Sequence, residues 1–86
     1  MTNVVWDFLH LEESKMIYKY KCFKIEVLDL IEEDMYDKNY PQDLFVATIY
    51  YNGECHMQFF RILESQAMES AEYWVREHAL AWLGFV

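Results

Sequence analysis

The sequence predicts an α+β domain in which one long C-terminal helix packs across an antiparallel sheet of three or four strands. Three observations carry this prediction. Residues 44–61 are rich in β-branched and aromatic side chains and are interrupted by Asn52-Gly53, residues 16–30 also alternate as extended chain, and residues 65–83 place apolar side chains at helical spacing. The chain is short enough that we expect a single domain, 1–86.

The N-terminal third contains two ambiguous segments. In the first dozen residues, a short N-terminal helix and the start of a strand fit nearly equally well, and the side chains that would share a helix face are Val4, Val5, Phe8, Leu9 and Glu12. Within residues 16–30, Tyr18 and Tyr20 alternate with lysines, but the apolar positions change phase from Phe23 onward. Such a change indicates a β-bulge near Cys22 or a break into two shorter strands. The lysines of this region are typical of a protected edge strand: Lys15, Lys19, Lys21 and Lys24.

Residues 44–61 predict a β-hairpin. Asn52-Gly53 tolerates the positive φ angles of a two-residue type I′ turn. Such a turn fixes the register, and the facing pairs are Tyr51–Glu54, Tyr50–Cys55, Thr48–Met57 and Val46–Phe59. Neither face of this hairpin is plainly polar. Because one helix covers only one side of a sheet, apolar surface is expected to remain on the other side.

The C-terminal segment predicts a helix over residues 65–83, and the segment before the hairpin predicts a loop. Ser65 is a good N-cap, and Gly84 stands where a left-handed C-cap residue is expected. The apolar side chains at helical spacing are Ala67, Ala71, Trp74, Val75, His78 and Trp82. Residues 31–43 contain the only proline and no regular apolar period, so they are expected to form a loop.

Composition excludes several classes of function. Fifteen acidic residues against seven basic ones give a net charge of −8, whereas affinity for phosphate comes from lysine and arginine, so direct binding to nucleic acid is not expected. No apolar run approaches the ~20 residues that a membrane span needs, and no secretory signal is visible, which favours a cytoplasmic protein. Cys22 and Cys55 fit reduced thiols, and a single bridge between them is the alternative.

Catalytic and metal-binding patterns are missing from the sequence. The three histidines lie in different predicted elements, and Cys55 and His56 point to opposite faces of a strand because they are adjacent. No CxxC, HxxxH or HExxH spacing is present, and two glycines cannot build a phosphate-binding loop. The sequence therefore predicts a protein without enzymatic activity, metal or cofactor.

The strongest functional signal is the distribution of charge. Seven acids and one base lie between Glu26 and Asp43, which places −6 of the total −8 in eighteen residues. The loop of residues 31–43, the acidic loop, also carries large side chains that cannot all be buried. Carboxylates beside exposed aromatic anchors suit docking to a basic surface of another protein, and the predicted partner-binding residues are Glu32, Glu33, Asp34, Tyr36, Asp37, Tyr40 and Asp43. The alternative is a solvated loop whose tyrosines fold back onto the sheet.

The surplus of aromatic side chains favours an interface as well. Sixteen residues are Phe, Tyr or Trp, more than one helix can cover on a small sheet. Self-association into a homodimer through an aromatic sheet face is one solution, and binding to a larger partner protein is the other.

The order of strands, hairpin and a helix that opens SQAMESAEYW resembles small phage-encoded inhibitors of the anti-CRISPR kind, in size and acidity as well. That resemblance covers the whole chain and implies a non-enzymatic inhibitor whose partner is a basic, nucleic-acid-handling protein such as a CRISPR effector. The element order and the Ser- and Ala-rich helix start are also similar to the double-stranded RNA-binding domain. The lysines on which that family relies are replaced here, since the matching positions read Gln66, Ala67, Met68 and Glu69.

Overall fold

The computed structural model describes residues 6–11 and 15–83. Five strands form one antiparallel sheet in chain order, and a single helix follows them: β1 (Asp7–Leu11), β2 (Lys15–Tyr20), β3 (Phe23–Asp29), β4 (Phe45–Tyr51), β5 (Glu54–Arg61) and α1 (Glu64–Leu83). The helix packs across one face of the sheet, against β3, β4 and β5. The α+β class and the C-terminal helix are confirmed, whereas the predicted count of three or four strands is wrong because there are five.

The additional strands come from the N-terminal third. The change of phase after Tyr20 is a break, since Lys21 adopts a φ of 52° in a tight turn and β2 pairs directly with β3. Of the two alternatives for the first dozen residues, the structure has the strand: residues 7–11 form β1, and a short helix is wrong for them. Pairing with β2 satisfies their backbone and sets Phe8 opposite Tyr18, with ring centroids 5.2 Å apart. The residues Val4, Val5 and Glu12 lie outside the described part.

The lysine-bearing strand β2 is not an edge strand, because it lies between β1 and β3. The edges of the sheet are β1 and β5. Lys15, Lys19 and Lys24 share the face opposite α1, which we call the open face, and Lys21 lies in the turn. The edge-strand interpretation of this row is therefore wrong.

The β4–β5 hairpin has the predicted turn but not the predicted register. Asn52 and Gly53 take φ angles of 52° and 85°, and Tyr50 faces Cys55 as expected. A β-bulge then makes His56 an extra residue, so that Met57 faces Ile49 and Phe59 faces Ala47 instead of Thr48 and Val46. The shift moves Met57 and Phe59 to the helix-covered face, where Phe59 is half-buried and Met57 remains 38% exposed.

The core lies between α1 and the two central strands β3 and β4. Its fully buried side chains include Phe23, Ile25, Ile49 and the helix residues Ala71 and Val75. The side chains of the buried alanines Ala67 and Ala71 are small, so the helix approaches the sheet closely. α1 begins at Glu64, so Ser65 lies within its first turn instead of capping it, and the first helical carbonyl to accept a bond is that of Leu63, from the amide of Ala67. Gly84 lies outside the described residues.

Candidate protein-docking site

The acidic loop connects β3 to β4 at one end of the sheet. Backbone hydrogen bonds fasten both of its ends, because the amide of Leu30 donates to the carbonyl of Leu44 and the amide of Leu44 donates to the carbonyl of Arg61. Residues 31–42 are exposed, and Leu30 beneath them is buried. The loop is thus held to the sheet while its side chains remain in solvent.

The first half of the loop is a single helical turn with a cap at each end. The Asp29 carboxylate accepts hydrogen bonds from the amides of Ile31 and Glu32, at 3.0 and 3.2 Å. At the other end Asp34 takes a φ of 56°, its amide donates to the carbonyl of Ile31, and the amide of Met35 donates to the carbonyl of Leu30. This is the Schellman arrangement, in which the left-handed residue closes a turn. Local chemistry therefore orders the segment without burying its carboxylates.

The second half is ordered in the same way. One oxygen of Asp37 accepts a hydrogen bond from the amide of Asn39 at 2.9 Å, and the amide of Tyr40 donates to the carbonyl of Asp37. The hydroxyl of Tyr36 donates to the carbonyl of Pro41 at 3.4 Å. The backbone of the loop is consequently preformed before any partner binds.

Large side chains stand among the carboxylates. Tyr40 is 61% exposed, Met35 60% and Tyr36 38%, so the alternative in which both tyrosines fold back onto the sheet does not describe this loop. Within the described part of the chain, no ion pair neutralises four of the loop's five carboxylates, those of Glu32, Asp34, Asp37 and Asp43. The loop thus combines uncompensated negative charge with apolar surface.

A pocket of about 360 Å³ lies between the acidic loop and β5, and its lining residues are Leu30, Met35, Asp37, Tyr40, Asp43 and Phe60. Three of the seven predicted partner-binding residues, Asp37, Tyr40 and Asp43, meet here. The other four, Glu32, Glu33, Asp34 and Tyr36, lie on the exposed surface of the loop.

Sequence reasoning missed the contribution of β5 to this pocket. The unbulged register assigned Phe60 to the face of Ala47 and Ile49, which the helix covers. The bulge instead pairs Phe60 with Val46 on the open face, where it is 41% exposed. A bulge of this kind has no local sequence signal in the hairpin, so only the sheet pairing reveals this wall. Met35 could have been added from the sequence, because a large apolar side chain in an acidic loop is conspicuous.

A second groove, of about 510 Å³, runs between β5 and α1 on the other face of the sheet. Met57, Phe59 and Tyr73 contribute apolar walls, and Trp74 stacks on the ring of His78 with centroids 3.9 Å apart. The Nδ1 atom of His78 lies 2.7 Å from the carbonyl oxygen of Trp74. The His78 imidazole is therefore held against its own helix, where it packs on the ring of Trp74.

Two of the three lysines of the open face, Lys15 and Lys24, contact neighbouring side chains. Lys15 lies 3.6 Å from the carboxylate of Glu26, and the ammonium of Lys24 lies 4.6 Å from the centre of the Tyr50 ring. Burial, and then the negative charge of Glu26, raise the pKa of Tyr50 above its ordinary value of 10.0. Both lysine contacts are made within the sheet itself, with Glu26 and with Tyr50.

A third surface consists of aromatic rings beside the helix. Trp6 packs edge-on against Tyr20 at 5.9 Å, and Phe8 packs against Tyr18. We call these four residues the aromatic ledge. They lie on β2 and at the β1 edge, beyond the strands that α1 contacts; Trp6, Tyr18 and Tyr20 are half-buried against the core, and Phe8 is 51% exposed. Apolar surface therefore remains at this side of the sheet.

No three His, Cys, Asp or Glu side chains in residues 6–11 and 15–83 are grouped so that they could hold a metal ion. The two thiols are exposed and free, so the structure contains no Cys22–Cys55 bridge. In the same part of the chain, no helix combines the length and the apolar character needed to cross a membrane.

Comparison of the chain with protein-family models, with curated proteins and with solved structures finds no match.

Proposed function

We propose that this protein is a non-enzymatic protein-binding module, an inhibitor similar to anti-CRISPR proteins, that acts in the cytoplasm. It uses the acidic loop to occupy a basic nucleic-acid-binding surface of a partner protein, for example a CRISPR effector. The observation that carries the proposal is the exposure of Met35 and Tyr40 beside the carboxylates of Asp34, Asp37 and Asp43, none of which forms an ion pair within the described part of the chain.

Charge and aromatic surface have separate tasks in such an interface. Carboxylates on one loop attract a basic partner over a Debye length of about 8 Å at physiological ionic strength and orient it during the encounter. Apolar and aromatic side chains then supply most of the affinity once water is excluded. Tyr36 and Tyr40 are suited to that second task because each also offers a hydroxyl to a polar rim.

The preformed backbone of the loop favours tight binding. The Asp29 cap and the left-handed Asp34 hold the loop in one shape before contact. Less conformational entropy is therefore lost on association than with a disordered acidic tail. A rigid array of carboxylates can take the place of phosphates on the partner, and nucleic acid is then excluded by competition.

The experiment that tests this function reverses charge on the loop and on the helix in parallel. The loop variant is E32K/E33K, and the matched control is E69K/E72K, which makes the same change of net charge on exposed or half-exposed positions of α1. Affinity purification from the native host at low and at high salt identifies the partner, and surface plasmon resonance then measures the association rate and Kd of each variant.

We expect the wild type and the helix control to bind a basic nucleic-acid-handling protein in a salt-sensitive manner. The loop variant should lose at least tenfold in association rate, because like charges now meet. Equal losses for the two variants would show that total charge matters and that the loop does not.

The aromatic ledge favours a second function, that of a structural or adaptor homodimer. Phe8 and its neighbours offer apolar surface at the side of the sheet that ends in β1, where two copies can meet about a two-fold axis. Sedimentation velocity at micromolar concentration should show a dimer for the wild type and a monomer for F8S. A wild-type protein that stays monomeric contradicts this second function and leaves the first untouched.

A further inference from the structure

The pocket between the acidic loop and β5 has an unusual combination of walls. Leu30 closes its base and is only 5% exposed, while Met35, Tyr40 and Phe60 form apolar and aromatic sides. Carboxylates also line the pocket. Its volume of about 360 Å³ is at the small end of the range of ligand sites, roughly 300–1,000 Å³, so it fits a single long side chain better than a large ligand.

Two carboxylates give the pocket its charge. Asp37 uses one oxygen to accept the amide of Asn39, which leaves the second oxygen for another donor. Asp43 is half-buried and forms no ion pair with any described residue. Lys38, the one base of the acidic loop, does not line the pocket. Among the described residues, no cation therefore complements the negative charge beside this apolar floor.

The chemistry of the walls selects the occupant. An arginine side chain has an apolar stem, a planar cation that stacks on aromatic rings, and several donors for carboxylates. A lysine ammonium satisfies the charge but not the stacking surfaces of Tyr40 and Phe60. A norleucine-like chain satisfies the floor and leaves both carboxylates without a partner.

The chain's own arginines do not supply this group. Arg61 donates to the carbonyl of Phe60 at 2.7 Å and lies over the ring of Phe59, and Arg76 is paired with Glu72 at 2.8 Å. Both guanidinium groups are engaged within their own molecule. This favours a different protein over a second copy as the source of the cation.

We propose that this pocket binds one arginine side chain of the partner protein. Its guanidinium lies between the Asp37 and Asp43 carboxylates and stacks on the ring of Tyr40 or Phe60. The inference rests on the proposed function, since it names the chemistry that the acidic loop recognises on its basic partner. Arginine is the residue type that most often contacts phosphate and guanine. A partner arginine that is bound in this pocket is therefore no longer available to contact nucleic acid.

The test is an NMR titration of the full chain carrying ¹³C-labelled methionine methyl groups, in which the Met35 signal reports on the pocket. The probes are N-acetyl-arginine amide, N-acetyl-lysine amide and N-acetyl-norleucine amide. We expect saturable shifts of the Met35 methyl with the arginine probe at millimolar concentration, weaker binding of the lysine probe, and no saturation with norleucine.

Two double variants make the test specific. D37N/D43N removes both charges but keeps the oxygen that accepts the amide of Asn39, so the loop should remain folded, and an unchanged amide signal of Asn39 checks this. We expect D37N/D43N to lower the affinity for the arginine probe by about tenfold, because charge-assisted hydrogen bonds are lost. The control E69Q/E72Q removes two charges from α1 and should leave the titration unchanged.

The inference is overturned if the Met35 methyl does not respond to the arginine probe, if norleucine binds equally well, or if the two double variants behave alike. Its failure differs from a failure of the proposed function. If the Met35 methyl does not respond to the arginine probe, but E32K/E33K weakens partner binding and E69K/E72K does not, the arginine site is wrong and the proposed function stands. If the Met35 methyl responds to the arginine probe, but E32K/E33K leaves partner binding unchanged, the proposed function is wrong and the pocket still binds arginine.

Discussion

The helix-covered core and the acidic loop are ordered by opposite means. Between α1 and the sheet, the strand residues Ile25 and Ile49 and the helix residue Val75 are fully buried and belong to one packed cluster. In the acidic loop almost every side chain is exposed, and order comes from backbone hydrogen bonds and from the caps at Asp29 and Asp34. Both regions have a defined shape, but only the core obtains it by removing apolar surface from water.

This difference separates stability from recognition. Substitutions in the core change the free energy of unfolding by kilocalories per mole, whereas exposed side chains of the loop change it little. The loop side chains are therefore available for binding without a large effect on folding. A small domain benefits from this division, because its core leaves little stability in reserve.

The largest expected effect compares two identical substitutions, I49A in the core and I31A in the loop. Ile49 is fully buried and Ile31 is 57% exposed. We expect I49A to lower the free energy of unfolding by about 2–5 kcal/mol, because it creates a cavity beneath α1. We expect I31A to change it by no more than about 0.5 kcal/mol. Urea denaturation followed by circular dichroism measures both, and similar losses would mean that the loop carries part of the core.

A smaller effect is expected from the cap of the loop. D29A removes the carboxylate that accepts the amides of Ile31 and Glu32, and it should lower the free energy of unfolding by about 1 kcal/mol. Amide hydrogen exchange should accelerate in residues 31–35 and remain slow in β3 and β4. D29N keeps the acceptor oxygen and serves as the control. If the two variants exchange alike, hydrogen bonding to this side chain does not order the turn.

The smallest effect concerns the open face at alkaline pH. Burial, followed by the charge of Glu26, raises the pKa of Tyr50 in the folded protein above its unfolded value of 10.0. The stability linked to this proton is complete below pH 10 and is lost as the pH rises through the higher, folded pKa. Y50F should therefore lose less stability than the wild type across that interval in urea titrations. Parallel curves would contradict the shift.

The same dependence of stability on pH is expected for Tyr18, on the face of the sheet that α1 covers. Burial raises the pKa of Tyr18 as well, and the negative charge of Glu64 adds to it. The double variant Y18F/Y50F should consequently be less sensitive to alkaline pH than Y50F alone. Because both hydroxyls lie outside the acidic loop, neither variant should alter binding to a basic partner.

The elements predicted correctly from the sequence depend on short-range chemistry. Asn52-Gly53 specifies a turn because few other residues accept positive φ, and the helical spacing of Ala67, Ala71 and Val75 repeats over several turns. The exposed position of the acidic loop follows similarly, since so many like charges are not buried together. The sequence therefore predicted the exposure of four of the loop's five carboxylates and of Tyr36 and Tyr40.

The elements missed were those whose conformation depends on a partner strand. Residues 7–11 become a strand because β2 offers them hydrogen bonds, and residues 15–29 become two strands because Lys21 and Cys22 can turn between them. The local sequence pattern of these segments was compatible with more than one secondary structure. The pocket wall formed by Phe60 was missed for a related reason, because its face depends on a bulge that the hairpin sequence does not signal.

By itself, then, the sequence determined the fold class, the β4–β5 turn, the C-terminal helix and the position of the negative charge. These follow from the backbone preferences of single residues, from a repeated spacing and from composition. Only the tertiary structure decided the number of strands, the side on which Met57, Phe59 and Phe60 lie, and the union of Asp37, Tyr40 and Asp43 with β5 in one pocket. In a hairpin whose two faces are both apolar, burial against α1 selects the register, and that choice is made by residues distant in the chain.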